Sequence, residues 1–163
     1  AFYSCTSLTS ITIPTSVDTI NDAVFRACTS LTTINIPTSV KTISSNALNS
    51  CTSLTSITIP TSVNTIGNYA FCFCTSLTSI IIPTSISTIS TQTFRSCTSL
   101  TSISIPASVT SIGANAFAFC TSLTCRRIAG SPVVDSSAFY GDPANTCQIT
   151  SPIPTVYPTR SPS

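Results

Sequence analysis

Cys51-Thr52-Ser53-Leu54-Thr55-Ser56-Ile57-Thr58-Ile59-Pro60 is the middle copy of a phrase that returns along the chain with a fixed step. Cys5, Cys28, Cys51, Cys74, Cys97 and Cys120 stand 23 positions apart, and each is followed by Thr-Ser-Leu-Thr. A fixed period of this length marks stacked repeats, because one unit cannot cover its own apolar edges and its neighbours must do so. The unit reads C-T-S-L-T-x-I-x-I-P-x-S-V/I-x-x-I-x-x-x-A/V/T-F/L-x-x. Five full copies run from Cys5 to Phe119, and a degenerate sixth follows Cys120.

Within the unit, Leu8, Ile11 and Ile13, then Leu31, Ile34 and Ile36, put apolar residues at alternate positions near the end of the phrase. Alternation of β-branched residues predicts one short strand per coil, and stacked coils place those strands in a parallel sheet at about 4.8 Å spacing. Pro14, Pro37, Pro60, Pro83 and Pro106 end each strand, since proline lacks the N–H that a central ladder needs. Val17 and Ile20 then return to the interior, and Phe25, Leu48, Phe71, Phe94 and Phe117 fill the far side.

The pattern L-T-S-I-T-I-P-x-S-V-x-x-I-x-x-x-A-F-x-x-C resembles the BspA-like leucine-rich repeats of bacterial and protist surface proteins, over residues 1 to about 142. The resemblance implies a mainly β, right-handed leucine-rich-repeat solenoid. One face would carry the parallel sheet and the opposite side short strands, helical turns or 3-10 turns. It also implies a surface protein engaged in adhesion or binding. The chain departs from better-known leucine-rich repeats in having Ser16, Ser39, Ser62, Ser85 and Ser108 where an asparagine ladder would follow the strand. Their hydroxyls are expected to satisfy the turn backbone. The organisation expected is five repeats plus a partial N-terminal repeat over 1–119, a degenerate repeat and C-terminal cap over 120–147, and a Pro/Ser/Thr-rich tail or linker over 148–163. Ala1-Phe2-Tyr3-Ser4-Cys5 matches the end of a repeat, as in Ala70-Phe71-Cys72-Phe73-Cys74, which places the natural start upstream.

Nine cysteines invite a disulfide reading, but six form one column. Stacked side chains point in parallel and do not reach the torsion a disulfide prefers. The ladder Cys5, Cys28, Cys51, Cys74, Cys97 and Cys120 is therefore read as reduced core thiols. Cys125 and Cys147 bracket the degenerate unit and are the candidate disulfide, which implies an oxidising compartment. Cys72 shares a column with Tyr3, Arg26, Asn49, Arg95 and Ala118. That tolerance of charge predicts an exposed thiol, available for crosslinking. No histidine and no paired C-x-x-C motif offers a metal site, and no cofactor is expected.

Only 6% of residues are charged against 42% hydrophobic, so serine and threonine supply most of the polar surface. The six basic residues are scattered apart from Arg126-Arg127, which excludes a phosphate-binding footprint and makes nucleic acid an unexpected partner. The longest apolar runs, such as Ile80-Ile81-Ile82, are far shorter than the ~18 residues of a spanning helix, so this segment is not expected to insert in a membrane. With no histidine, no glutamate and only Asp18, Asp22, Asp135 and Asp142 as acids, the chain lacks the groups that general acid–base catalysis requires, and it is read as no enzyme.

Surface is what remains. Between the inward strand residues lie two outward columns, Ser10, Thr33, Ser56, Ser79, Ser102 and Thr12, Asn35, Thr58, Ile81, Ser104, which form an uncharged hydroxyl face and the candidate binding face. Small hydroxyl residues also simply suit an exposed β surface. The tail from Ser151 to Ser163 has the proline and hydroxyl content of an extended stalk, with Thr155, Thr159 and Ser161 as candidate O-glycosylation sites. The expected function is an extracellular or cell-surface structural or adhesion protein. Its partners are itself, other surface proteins or glycans, and it assembles as an oligomer, fibre or coat. The alternative is a monomeric recognition module that binds glycan, protein or ice through the hydroxyl face.

Overall fold

The structure, a computed structural model, describes residues 2–142 and the backbone of 147–148. Each coil contributes two short strands, numbered in chain order. The odd-numbered strands are the ends of the Ser/Thr-Ile-rich phrases: β1 (Ser10–Thr12), β3 (Thr33–Asn35), β5 (Ser56–Ile57), β7 (Ser79–Ile80), β9 (Ser102–Ile105), β11 (Cys125–Ile128) and β13 (Cys147–Gln148). The even-numbered strands follow the proline turn: β2 (Thr19–Ile20), β4 (Thr42–Ile43), β6 (Thr65–Ile66), β8 (Thr88–Ile89), β10 (Ser111–Ile112) and β12 (Val133–Val134). All pairs are parallel, and in the full repeats each residue faces its own counterpart one coil on, as Ser10 faces Thr33, Ile57 faces Ile80 and Thr42 faces Thr65. The expected mainly β solenoid of 23-residue coils with parallel strands is what the chain forms.

Two details refine the expectation. The residues alone predict one strand per coil, because Thr-Ile pairs of two residues are too short to show alternation; of the short strands, helical turns or 3-10 turns that the resemblance allowed away from the main sheet, the structure forms short strands. They pair because the β-branched columns come into register once the first row is stacked. The far side of each coil is also neither α-helical nor 3-10 among the described residues. There the chain takes the left-handed conformation twice per coil, at Ala23 and Ala27, Asn46 and Ser50, Tyr69 and Phe73, Gln92 and Ser96, and Asn115 and Phe119. Each left-handed residue interrupts a helix, and it turns alternate N–H groups outward. Val24, Arg26 and Cys28 donate locally to Asn21, Ala23 and Phe25. Ala23, Phe25 and Ala27 instead donate to Ser45, Ala47 and Asn49 of the next coil. The turns are thus a third inter-coil ladder, and the buried backbone groups find partners there.

The core is a set of columns. Leu31, Leu54, Leu77, Leu100 and Leu123 are wholly buried, as are Phe25, Phe71, Phe94 and Phe117 behind the turns. Successive rings stack face to face, Phe71 on Phe94 at 5.4 Å and Phe94 on Phe117 at 5.3 Å between centroids, within the favourable range for aromatic pairs. Phe139 continues the stack at 5.1 Å from Phe117. Ile11, Ile34, Ile57, Ile80 and Ile103 point inward from the odd strands while their neighbours point out.

Adjacent residues of one strand therefore differ sharply in tolerance. Ile57→Asp buries an unpaired carboxylate and is expected to remove more than about 4 kcal/mol of stability and the cooperative transition with it. Thr58→Asp, on the outer face, is expected to stay within about 1 kcal/mol. Thermal unfolding followed by circular dichroism measures both, and equal Tm values for the two variants would contradict the assignment of faces.

Candidate functional site

The hydroxyl residues divide into two sets that composition alone does not separate. One set staples coil to coil. Thr32 Oγ donates to the Thr9 carbonyl at 3.0 Å, Thr78 to Thr55 at 3.2 Å, and Thr52 to Thr29 at 3.3 Å. After the proline turn, Ser39 donates to the Val17 carbonyl at 2.7 Å, Ser62 to Val40 at 2.8 Å, and Ser85 to Val63. The expectation that these serines satisfy the turn backbone therefore holds at three positions, with the acceptor in the preceding coil. Ser108 Oγ is buried with no partner.

The other set is free. Ser10, Thr12, Thr33, Asn35, Ser56, Thr58, Ser79, Ser102 and Ser104 are exposed on the odd-strand sheet, and their side chains form no hydrogen bond among the described residues. Ile81 sits among them 80% exposed. The structure thus brings every residue of the candidate binding face to one surface. A shallow depression of about 410 Å³ crosses β1, β3 and β5, rimmed by Ser10, Thr12, Thr33, Asn35, Ser56 and Thr58. A second, of about 400 Å³, lies over the even strands and is lined by residues including Thr88, Ser90, Ser111 and Asp135. Sequence reasoning missed this second face, although the recurring Thr-Ile pair was its signal.

The cysteine ladder has a structural task of the same kind. Cys51 Sγ donates to the Phe25 carbonyl at 3.2 Å, Cys74 to Leu48 at 3.3 Å, Cys97 to Phe71 at 3.2 Å and Cys120 to Phe94 at 3.1 Å. These carbonyls already accept the local turn N–H, and the thiol fills the second lone pair. Burial pushes Cys51 and Cys120 up to about 12 and holds Cys74 and Cys97 well above the ordinary thiol range. The thiols stay protonated donors and poor nucleophiles.

Cys72 is not the exposed thiol that its column suggested. It is 1% exposed, and burial raises it to about 11 against the lowering effect of Arg95. Long side chains in that column reach out to water, whereas a short cysteine is covered by its neighbours. Cys125 and Cys147 face each other in the register of β11 and β13. Thr155, Thr159 and Ser161 lie outside the described residues.

The exposed Asp135 carboxylate accepts from the Ser137 N–H at 2.9 Å and its hydroxyl at 2.6 Å. Those bonds hold it below the usual carboxylate range, so it is a weak base. Asp142 takes the ladder position after Cys120, because the last coil is one residue short: Phe117 stacks on Phe139, and the Asp142 N–H donates to the Phe139 carbonyl as Cys28 does to Phe25. Its buried carboxylate lies 3.6 Å from Arg126, whose guanidinium covers the Phe139 ring at 4.1 Å. Burial raises Asp142 to about 6, outweighing the lowering by Arg126.

A parallel solenoid of short strands with one leucine column and one free sheet face is a leucine-rich-repeat architecture. The chain belongs to the BspA type leucine rich repeat region family, whose pattern matches residues 1–124 in six copies. It is similar to the leucine-rich repeat protein of T. pallidum, at 33% identity and a TM-score of 0.77, over 82% of this chain and 63% of that one. It is also similar to a leucine rich cell surface protein of Faecalibacterium prausnitzii, at 27% identity and a TM-score of 0.52, over 86% of this chain and 53% of that one. A leucine-rich repeat protein of Eubacterium ventriosum, 22% identical with a TM-score of 0.70 over 82% of this chain and 43% of that one, shares the fold. The chain thus spans less than two thirds of the length of each of these proteins. No curated protein matches it. Among the described residues no helix is long and apolar enough to cross a membrane.

Native thiols are expected to resist iodoacetamide until the chain unfolds, with half-buried Cys5 modified first and Cys72 as slow as the ladder. Mass spectrometry of briefly alkylated protein reads this, and rapid labelling of Cys72 would contradict its burial. Asp142 gives a pH signature with a definite sign. Its pKa in the fold lies above its ordinary value of 3.8, so the fold prefers the protonated form. Its contribution to stability is complete below about pH 4 and is lost as pH rises through about 6. Asp142→Asn should raise Tm at pH 8, and the gap to wild type should close toward pH 4. A gap that widens on acidification would contradict this sign.

Proposed function

We propose that the chain is a non-enzymatic extracellular or cell-surface protein of structural or adhesive type. It presents the odd-strand sheet as its contact face and joins further coils end to end in a fibre or coat. The observation that carries this reading is the division of the hydroxyls. Those needed to staple the coils are engaged, and a whole outward face of the same residue types is left free. The cell-surface description of a relative with the same repeats supports the location, and the engagement of Asp135 by Ser137 and of Asp142 by Arg126 supports the absence of catalysis.

Assembly is supported by the first coil. Beside β1 and β2 lies an apolar cavity of about 360 Å³, lined by residues including Phe2, Ile11, Ile13, Val17, Ile20 and Val24. Each later coil covers the same columns of its neighbour, so this cavity has the chemistry of a seat for one more coil, from the same polypeptide or from another subunit. The facing positions of Cys125 and Cys147 support a disulfide across the last coil and an oxidising compartment. The tail hydroxyls Thr155, Thr159 and Ser161 would then carry O-linked sugars. The depression over β1, β3 and β5 favours a second reading, a monomeric module that recognises a glycan, a protein or ice on that face.

Electron microscopy of unreduced native protein, with light scattering on the same sample, separates the two. Regular filaments are expected. Monodisperse single chains would sink the assembly reading and favour the module, in which Thr58→Trp should then abolish binding. Alkylation after unfolding reads the disulfide: seven cysteines should react without reductant and nine with it.

A further inference from the structure

We propose that the turn edge of the solenoid from Phe73 to Tyr140 docks a protein segment that carries a carboxylate among apolar side chains. Phe73 and Phe119 are its apolar anchors, and Arg95 is its cation. The second left-handed position of the other full coils holds Ala27, Ser50 and Ser96, whereas Phe73 and Phe119 occupy it at φ 59° and 61°. A bulky side chain there costs about 1–2 kcal/mol. Core packing does not explain the cost, since Phe73 is 45% and Phe119 37% exposed. The fold sets the left-handed backbone at this position in every full coil, so it is the two large exposed rings that folding does not need, and they point to a use at the surface.

The strained aromatics lie on one continuous strip. The Phe73 N–H donates to the Arg95 carbonyl at 2.9 Å. The Arg95 guanidinium lies 5.3 Å from the centre of the Phe119 ring, and Tyr140, 64% exposed, meets Phe119 edge-on at 5.5 Å. Arg95 Nη1 donates to Gln92 at 3.0 Å, but Nε is buried without a partner. Among the described residues no carboxylate lies within ion-pair reach of Arg95; the carboxylate that pairs with an arginine is Asp142, on Arg126. Aromatics around an arginine are the composition of interface hot spots, and on this chain they stand out from a surface of serine and threonine. An uncompensated cation in an apolar frame calls for a carboxylate with apolar neighbours.

A peptide fits this strip better than a sugar. A pyranose stacks on an open ring face, but Arg95 covers Phe119 on one side. Gly141 crowds the same ring, since a Cβ there would stand 2.9 Å from its Cδ1 and 3.2 Å from its Cε1. Ring edges and the guanidinium are what remain for a partner. The proposal rests on the reading of the chain as a non-catalytic contact protein, and it is independent of filament formation. Filaments without peptide binding would remove this proposal alone, and peptide binding by single chains would leave it standing.

The probes are fluorescein-labelled octapeptides that alternate glutamate with leucine or phenylalanine, the same peptides with lysine for glutamate, and polygalacturonate as an acidic glycan. Fluorescence anisotropy on the full chain is expected to show binding of the glutamate peptides only, weakened at least about tenfold by Arg95→Gln. Phe73→Asn should weaken binding by a similar factor while raising Tm by a few degrees, because asparagine tolerates the left-handed conformation. That opposite movement of affinity and stability separates a docking anchor from a structural side chain. Absence of binding, equal binding of the lysine peptides, affinity unchanged by both substitutions, or displacement of the peptides by polygalacturonate would each overturn the proposal. So would self-association in light scattering that Arg95→Gln abolishes.

Discussion

Everything in this molecule depends on the stacking of one coil on the next at the spacing of parallel strands. Backbone N–H groups from both strand rows and from the turns reach carbonyls of an adjacent coil, and no coil satisfies its own polar backbone. The same translation sets the side chains, because each position meets its own counterpart about 5 Å away. Apolar residues profit from that, as the phenylalanine stack shows. Charges of one sign do not, since they would repel along the whole column. A chain with only 6% charged residues is the consequence, and the charges present are spaced so that Asp18, Lys41 and Asn64 follow one another in their column.

The polar residues that remain are those whose stacking is neutral or favourable. Threonine, serine and cysteine each bring one short donor, and the coil above or below offers carbonyls with a spare lone pair. The result is a side-chain ladder beside each backbone ladder: threonine near the odd strands, serine after the proline turn, and thiol behind the turns. These bonds are individually modest, but they recur along the array. They also explain how so many hydroxyls are engaged between coils while a whole outward face of the odd strands keeps unused ones.

The departures from the repeat carry the most information. Where the last coil loses one residue, a carboxylate takes the place of a thiol and an arginine closes over it. Where phenylalanine replaces alanine or serine at a left-handed position, the ring has no core to enter and stays at the surface. Regular positions serve the stack, and irregular ones are free to serve something else.

The sequence by itself determined the period, the parallel stacking, the inward and outward faces of the odd strands and the burial of the cysteine ladder. Each follows from residue type and spacing within one unit, and an alternating pattern such as Ser56-Ile57-Thr58-Ile59 has only one face it can bury. Only the tertiary structure decided the place and register of the second strand row, the left-handed turns, the covered Cys72, the division between stapling and free hydroxyls, and the position of Asp142 beneath Cys120. These depend on what stands one coil away. A two-residue strand has no pattern to read, alanine and phenylalanine do not announce a positive φ, and a hydroxyl is engaged or free according to the carbonyl that the neighbouring coil brings within reach.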